Sequence, residues 1–521
     1  MRFYQRILLS LFVCMPWLLL LTCTDFQRLW LPSRNHRASS TISSPLPVRN
    51  ENLTRAAALR VTRLEKRPLL VRFGWYVDGT SPVHFGYGGT SAMTIFSPHG
   101  FEETTGNHWD LLWTMVPQWE NMAKTGNHHY KPRPWQVHNH CLGLKNNEGM
   151  AGTKESQWKH VWQMQLRYGE EEFGFMPETL VLPDDETKIK ERLRSSPQPW
   201  ILKPSIGKQA LGVKIVTNRK QLPSFRQKEN AGKRFVLQRY VTDPLLVLGR
   251  KFHMRLYLVL TSLSPLRVLA HDEGLVLFAV HNYSLDAGTF EDMKVHLTNS
   301  AVADRNKAQG SLNGWLLSTL WKHLTLVIGH SAVQSMQRDI DDAFVKLALS
   351  AQLENGGFEQ RRSGGCFDLL GVDVLVDSKH RVHVMEVNVG PEVVSQDPST
   401  HEANELAHKA VLTDLVPLAA MTDSPENVKK GFEEKLLQFM DEHKQSLCAP
   451  NAFVLETANC LTTQDVEDLW RLHRETVLLG HFRRLYPAPG TSSKYTQYFH
   501  AGLDPRNYWA LKWVDDYYSV T

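Results

Sequence analysis

At 521 residues the chain is longer than one ordinary domain, and 42% hydrophobic with 22% charged residues is the balance of a globular protein, not a disordered one. A formal net charge of +5 is too small to announce nucleic acid as a partner; it allows an acidic protein or nucleotide phosphates. Cys14 and Cys23 lie in or beside an apolar N-terminal run, and no cysteine spacing suggests a metal site. Cys141, Cys366, Cys448 and Cys460 remain, either reduced or as two disulfides, with Cys448–Cys460 the nearest pair in sequence.

Arg2 and Arg6 precede an apolar run from Ile7 to Cys23, broken only by Ser10, Pro16 and Thr22. Residues 1–30 therefore read as a signal peptide or signal-anchor. No small-residue cleavage site follows, which favours an uncleaved single-pass type II anchor contacting the membrane through residues 7–23, with the body in a Golgi-like lumen. Arg28, Arg34 and Arg37 beyond the run argue the other way, for a cytosolic body. Residues 31–65, rich in Ser, Arg, Pro and Asn, read as a flexible stem. Sequons stand at Asn52 and Asn282.

The globular part opens near Pro68 with a strand at Leu69–Phe73. Lys154–Gly169 carries Trp158, Val161, Trp162 and Leu166 at helical spacing. Thr179–Leu182 is a short strand, after which Asp184 can cap a helix running to about Ser195. Strands follow at Trp200–Lys203, Gly212–Val216 and Phe235–Val241. A long one spans Lys251–Ser262, and shorter ones lie at Arg267–Leu269 and Val276–Val280. Val333, Met336, Ile340, Phe344, Leu347 and Ala351 mark a long amphipathic helix. Further helices are expected over Val428–His443 and Thr463–Leu479. The order of elements predicts an α+β architecture of subdomains built on antiparallel sheets.

The stretch Cys366–Pro391 reads as two strands, Phe367–Val376 and Arg381–Val389, joined by a turn at Asp377-Ser378-Lys379. Alternation puts Glu386 and Asn388 on one face, and an even-length turn adds Asp373 to it, diagonal to Glu386. Two carboxylates and an amide oxygen make a hard-cation site suited to Mg²⁺, whose coordination shell keeps room for substrate phosphates. A solvated acidic hairpin is the plainer alternative. Between Lys203 and Gly212 a glycine-bearing loop can close over phosphates. Lys251 and Arg255 share a strand face and can hold phosphate or carboxylate oxygens.

Taken in order, Lys203-Pro204, Gln238-Arg239-Tyr240-Val241, Lys251-Phe252-His253-Met254-Arg255, His296-Leu297-Thr298-Asn299 and Glu386-Val387-Asn388 resemble the tubulin tyrosine ligase-like family of ATP-grasp ligases, most closely its polyglutamylase-type members. The resemblance runs from about Val137 to Trp513. It implies a three-part ATP-grasp-like fold, with 66–198 as the N-terminal and part of the central subdomain, 199–420 as the catalytic core and 421–521 as a C-terminal helical extension. It implies ATP and Mg²⁺ as cofactors, a free amino acid as donor, and a protein acceptor with an acidic tail, such as tubulin. By position, Asp373, Glu386 and Asn388 match metal ligands. Lys154, Lys203, Gln209, Gln238, Arg239, Tyr240, Val241, Lys251, Thr298 and Asn299 match nucleotide contacts. Arg255, Lys251 and Glu386 match the catalytic set. Arg255, Leu277, Ser300, Lys322 and Lys409 fall at the substrate positions.

Several of these positions depart from the family pattern. His253 replaces an acid, Leu277 stands where glutamate-adding members carry an arginine, Ser300 follows Thr-Asn in place of a tyrosine, and Ala210 and Leu211 occupy the phosphate loop. The expected reading is an active amino-acid ligase. The alternatives are a nucleotide-binding pseudoenzyme serving as a binding module, and a lumenal ligase for a secreted acidic protein. A cytosolic microtubule-associated enzyme is the counterpart of the lumenal placement.

Overall fold

The computed structural model describes residues 69–74, 93, 95–104, 110–114, 137–139, 152–195, 198–207, 210–223, 230, 232–298, 314–351, 365–389, 401–419, 425–447, 460–498 and 505–518. All belong to the unit Leu59–Thr521. The apolar run 7–23, the stem 31–65 and the sequon at Asn52 lie outside the described residues. Within them, no helix is long and apolar enough to cross a membrane.

The axis of the fold is the strand Arg250–Leu263. Its even-numbered residues Phe252, Met254, Leu256, Leu258 and Leu260 pack into one core, under the long helix His330–Ala351 and the start of the helix Lys154–Tyr168. Its odd-numbered residues Tyr257 and Val259 face a second core, closed by the helix His401–Leu418 through Val411, Leu412 and Leu415. A strand covered on both faces must be apolar along most of its length, which accounts for its composition. Along the odd face the residues change from Tyr257 and Val259 to Arg255, His253 and Lys251, and the functional groups begin there.

The outgoing arm of the final hairpin, Gly365–Val376, lies antiparallel beside this strand, with Arg255 directly opposite Asp373. The returning arm, Val382–Val389, pairs with it in turn. On the other side Leu275–Phe278 pairs with the long strand and places Leu277 opposite His253. The large sheet has 12 strands. The expectation of antiparallel sheets holds for this half of it only. Val137–Asn139, Leu111–Thr114, Leu69–Gly74 and Phe101–Glu103 extend it in parallel register. The segments between them are longer than a tight turn, and a crossover of that kind returns the chain in the same direction. A separate antiparallel sheet of four strands orders Thr179–Leu182, Phe235–Arg239, Trp200–Pro204 and Lys214–Val216.

Helix Lys154–Tyr168 opens on a capping box between Thr153 and Ser156. The expected apolar stripe is half right: Trp158 and Val161 are buried, but Trp162 and Leu166 remain exposed, and Gln157, His160 and Met164 complete the buried face. Asp184 does not cap the next helix, Glu186–Ser195; it pairs with Arg234, which also grips Glu155. The strand Phe482–Tyr486 runs antiparallel to Leu266–His271 and so joins the described segment 460–498 to the large sheet. Cys366 and Cys460 are each engaged in a disulfide bond. Cys141 and Cys448 lie outside the described residues.

Candidate functional site

The hairpin's geometry depends on one irregularity. The ladder slips between Asp373 and Val374, so that Asp373 faces Glu386 while Val374 faces Val384. Such a bulge resets the alternation of one arm. Val382 and Val384 point into the core on one side of it and Val387 on the other, leaving Glu386 and Asn388 outward. Asp373 therefore stands directly opposite Glu386, and not diagonal to it as simple alternation predicts. Asn388 Nδ2 lies 3.4 Å from Asp373 Oδ2.

Each acid has its own cation. Arg255 grips Asp373 with two nitrogens, Nη2 reaching Oδ2 at 3.0 Å. Lys154 Nζ lies 2.8 Å from Glu386 Oε1 and donates to Gly207 O at 3.1 Å, which ties the helix start, the acid and the loop after Pro204 together. In that loop Ala210 takes φ +58° and Gly212 φ +75°. A Cβ on Gly212 would meet Pro204 Cγ at 3.1 Å, so a tight turn against the proline requires glycine there.

Two buried lysines complete the group. Lys203 Nζ donates to Gln238 Oε1 at 2.8 Å, and Gln238 Nε2 to Thr179 Oγ1 at 3.1 Å. Lys251 Nζ donates to the Tyr240 hydroxyl at 3.0 Å and sits over its ring; the hydroxyl also meets His296 Nδ1 at 3.0 Å. Burial lowers both amines, Lys203 to about 8 and Lys251 to about 7, the charge of Lys203 adding to the second. Burial alone would raise Asp373, but Arg255 and His253 hold it below the usual carboxylate range. His253 Nδ1 lies 2.6 Å from Thr298 Oγ1, and its Nε2 is 3.7 Å from Asp373 Oδ1 with no hydrogen-bond partner. Burial pushes this imidazole down to about 4, against the pull of Asp373.

Lys154, Lys203, Gln238, Tyr240, Lys251, Arg255, Thr298, Asp373, Glu386 and Asn388 are thus linked by hydrogen bonds, ion pairs and strand register. Leu277 borders the group through His253. Other candidates sit differently. The Arg239 side chain is exposed and paired with Glu178, and the amides of Arg239 and Tyr240 donate to Glu178 O and Pro199 O. Those two amides are therefore occupied within the fold, while Val241 is buried. Lys322 and Lys409 are solvent-exposed on the helices Leu317–Ile328 and His401–Leu418, and among the described residues neither pairs with the hairpin acids. Gln209, Asn299 and Ser300 lie outside the described residues.

Sequence reading missed Gln157. Its side chain is buried, donates to Val387 O at 2.7 Å and accepts from Val387 N at 3.0 Å, fixing the returning arm between Glu386 and Asn388. A polar amide side chain on the buried stripe of a helix, beside Trp158, was the available signal. The donor set fits a hard divalent cation: two carboxylates and an amide on one face, both acids paired with cationic side chains. Among the described residues, the only His/Asp/Glu triplet with ligand atoms mutually within 4.8 Å is elsewhere, at Glu442, His443 and Asp516 on the surface.

The Tubulin-tyrosine ligase family profile matches residues 129–424. Among curated proteins, the tubulin monoglutamylase TTLL4 of Mus musculus is 27% identical over 82% of this chain and 38% of its own length. The tubulin polyglutamylase ttll-4 of Caenorhabditis elegans is 27% identical over 70% of this chain and 61% of its own. The tubulin polyglutamylase TTLL5 of Homo sapiens is 28% identical over 58% and 23%. The chain thus spans less than two thirds of each of these relatives. With more than half of its residues inside the family profile, the chain belongs to the tubulin-tyrosine ligase family.

Proposed function

We propose that the protein is an ATP-dependent ligase that joins the amine of a free amino acid, glutamate, to a side-chain or terminal carboxylate of a protein acceptor, tubulin. The observation carrying this reading is the face shared by Asp373, Glu386 and Asn388, bordered by Lys154, Lys203, Lys251 and Arg255. Carboxylate activation by phosphoryl transfer asks for charge neutralisation and alignment more than for a strong base. Asp373, Glu386 and Asn388 would hold Mg²⁺, which supplies charge stabilisation to the phosphate oxygens. Lys203 and Lys251 offer buried cationic nitrogens for the same oxygens, and Lys154 fixes the phosphate loop through Gly207. Arg255 holds Asp373 in register and faces the same side as the lysines. Transfer of phosphate to the acceptor carboxylate makes it an acyl phosphate; the incoming amine then expels phosphate and leaves an amide.

The decisive experiment incubates the protein with ATP, Mg²⁺, tubulin and each labelled amino acid in turn. Label entering tubulin from glutamate is the expected result. ATP bound without any transfer would identify a binding module instead. Leu277 itself offers no charge to a donor carboxylate, so transfer from an amino acid other than glutamate would point to that position.

One observation favours a different acceptor. Cys366 and Cys460 each take part in a disulfide, and structural disulfides persist in oxidising compartments. On that reading the acceptor is a secreted acidic protein and the body lies in the lumen. Asn282 is exposed on the surface, so a glycosidase-sensitive mass that disappears in Asn282→Gln would carry this placement. Thiols free to alkylation in protein taken from cells would remove it.

A further inference from the structure

His253 is anomalous in its surroundings. It stands on the face that carries Lys251 and Arg255, is 9% exposed, and has one ring nitrogen with no hydrogen-bond partner among the described residues. An unsatisfied buried nitrogen is costly, and a native structure keeps one where something else will satisfy it. The ring cannot turn freely: Thr298 Oγ1, 2.6 Å from Nδ1, fixes its plane. If the Thr298 oxygen accepts the Nδ1 proton, Nε2 presents its lone pair toward Asp373 Oδ1, 3.7 Å away. Two atoms at that separation can both reach one cation placed between them at the usual bond lengths of about 2.0–2.2 Å. A ring nitrogen held by an oxygen partner, with the other nitrogen free toward a carboxylate, is the arrangement of a metal-ligating histidine.

We propose that His253 Nε2 is a nitrogen ligand, together with Asp373, for the divalent cation of this site, and that it shifts the site's preference from Mg²⁺ toward a transition-metal ion such as Mn²⁺. This rests on the cation reading of the hairpin given above. The physical reason is ligand type: Mg²⁺ prefers oxygen and gives up its water reluctantly, whereas imidazole suits first-row transition ions. Leu277, opposite His253, adds no competing donor, so the nitrogen is the polar atom that this strand pair offers to a cation.

The test uses the full chain labelled with ¹⁵N-histidine, Mn²⁺ and inorganic pyrophosphate, in a nitrogen-free buffer. Pulsed electron paramagnetic resonance then reads whether a histidine nitrogen is bonded to the bound ion. The expected result is a ¹⁵N coupling in the parent that is absent in His253→Asn. In that variant the Mn²⁺ dissociation constant should rise about tenfold, a change typical of a lost ligand-shell partner, with Mg²⁺ affinity nearly unchanged. Bound Mn²⁺ without a ¹⁵N coupling, a coupling that persists in the variant, or equal losses for both ions would each overturn the role of His253 while leaving the cation site standing. Failure of the parent to bind Mn²⁺ at all would overturn the site itself and this inference with it.

Discussion

Lys251 is a buried amine that pairs with no acid among the described residues; its hydrogen-bond partner is the Tyr240 hydroxyl. The folded protein therefore holds it at about 7, by burial and then by the neighbouring Lys203 charge, whereas an unfolded chain would hold it near about 10.4. Between those values the unfolded state binds more protons than the folded one, so this residue makes stability rise with pH across that window. Nucleotide phosphates reverse the preference by supplying the missing negative charge. Binding of ATP at pH 8 should consequently take up roughly one proton, and affinity should fall as pH rises from about 7 to 9. Calorimetry in buffers of different ionisation enthalpy measures the uptake directly, and Lys251→Met should remove most of it; zero uptake in the parent would show that Lys251 does not meet the phosphates. Glu386 is tested differently. Glu386→Gln keeps the shape and an oxygen for Lys154 but loses the charge. ATP turnover should drop by about 100-fold or more, the scale of a lost electrostatic contact in a reacting site, with the unfolding midpoint little changed. Parent-like turnover would remove Glu386 from the chemistry.

The elements of the site were largely legible, because strands and their faces follow from alternation, and the residue types on the hairpin and the long strand announce a charged face within an apolar sheet. The bulge was not legible. Nothing in Asp373-Val374 marks it, since it arises from how two arms are paired and not from either alone. The contact between Gln157 and Val387 was hidden for a similar reason: these residues lie on elements far apart in the chain, and only tertiary packing joins them. That contact has a measurable consequence. Gln157→Leu leaves the Val387 amide and carbonyl buried and unpaired, which should cost about 1–3 kcal/mol in denaturant unfolding. It should also speed hydrogen exchange at the Val387 amide and weaken divalent-cation binding, because the arm carrying Glu386 and Asn388 loses its anchor. A variant as stable as the parent with unchanged exchange would mean that water replaces the glutamine.

At the scale of the whole molecule, the parallel half of the large sheet escaped sequence reading because parallel pairing depends on long crossovers, which leave no local turn signal. The C-terminal segment shows the same thing. Two of its helices, Glu426–Glu442 and Thr463–Val477, are expected from the sequence, but the strand Phe482–Tyr486 closes an edge of the sheet beside Leu266–His271, and a buried charge cluster joins the two parts. Glu475 pairs with Arg267 at 3.2 Å and Arg484 at 3.3 Å, all three nearly inaccessible to solvent. Arg267 also donates to Thr261 Oγ1 and Thr261 O on the long strand, so the cluster runs from the helix Thr463–Val477 toward the strand that bears Lys251 and Arg255. Removing the Glu475 charge takes from Arg267 and Arg484 the buried carboxylate that both are paired with. Glu475→Gln should therefore cost about 3–5 kcal/mol. Trp470 and Trp513 are buried in the C-terminal core and report its melting by fluorescence, while nucleotide binding reports the site. The two signals should be lost together, at a lower denaturant concentration than in the parent, because the strand pairing makes site and C-terminal core one cooperative structure. Tryptophan signals that melt while nucleotide binding survives would show that the C-terminal segment is attached to the core bearing Lys251 and Arg255 without supporting it.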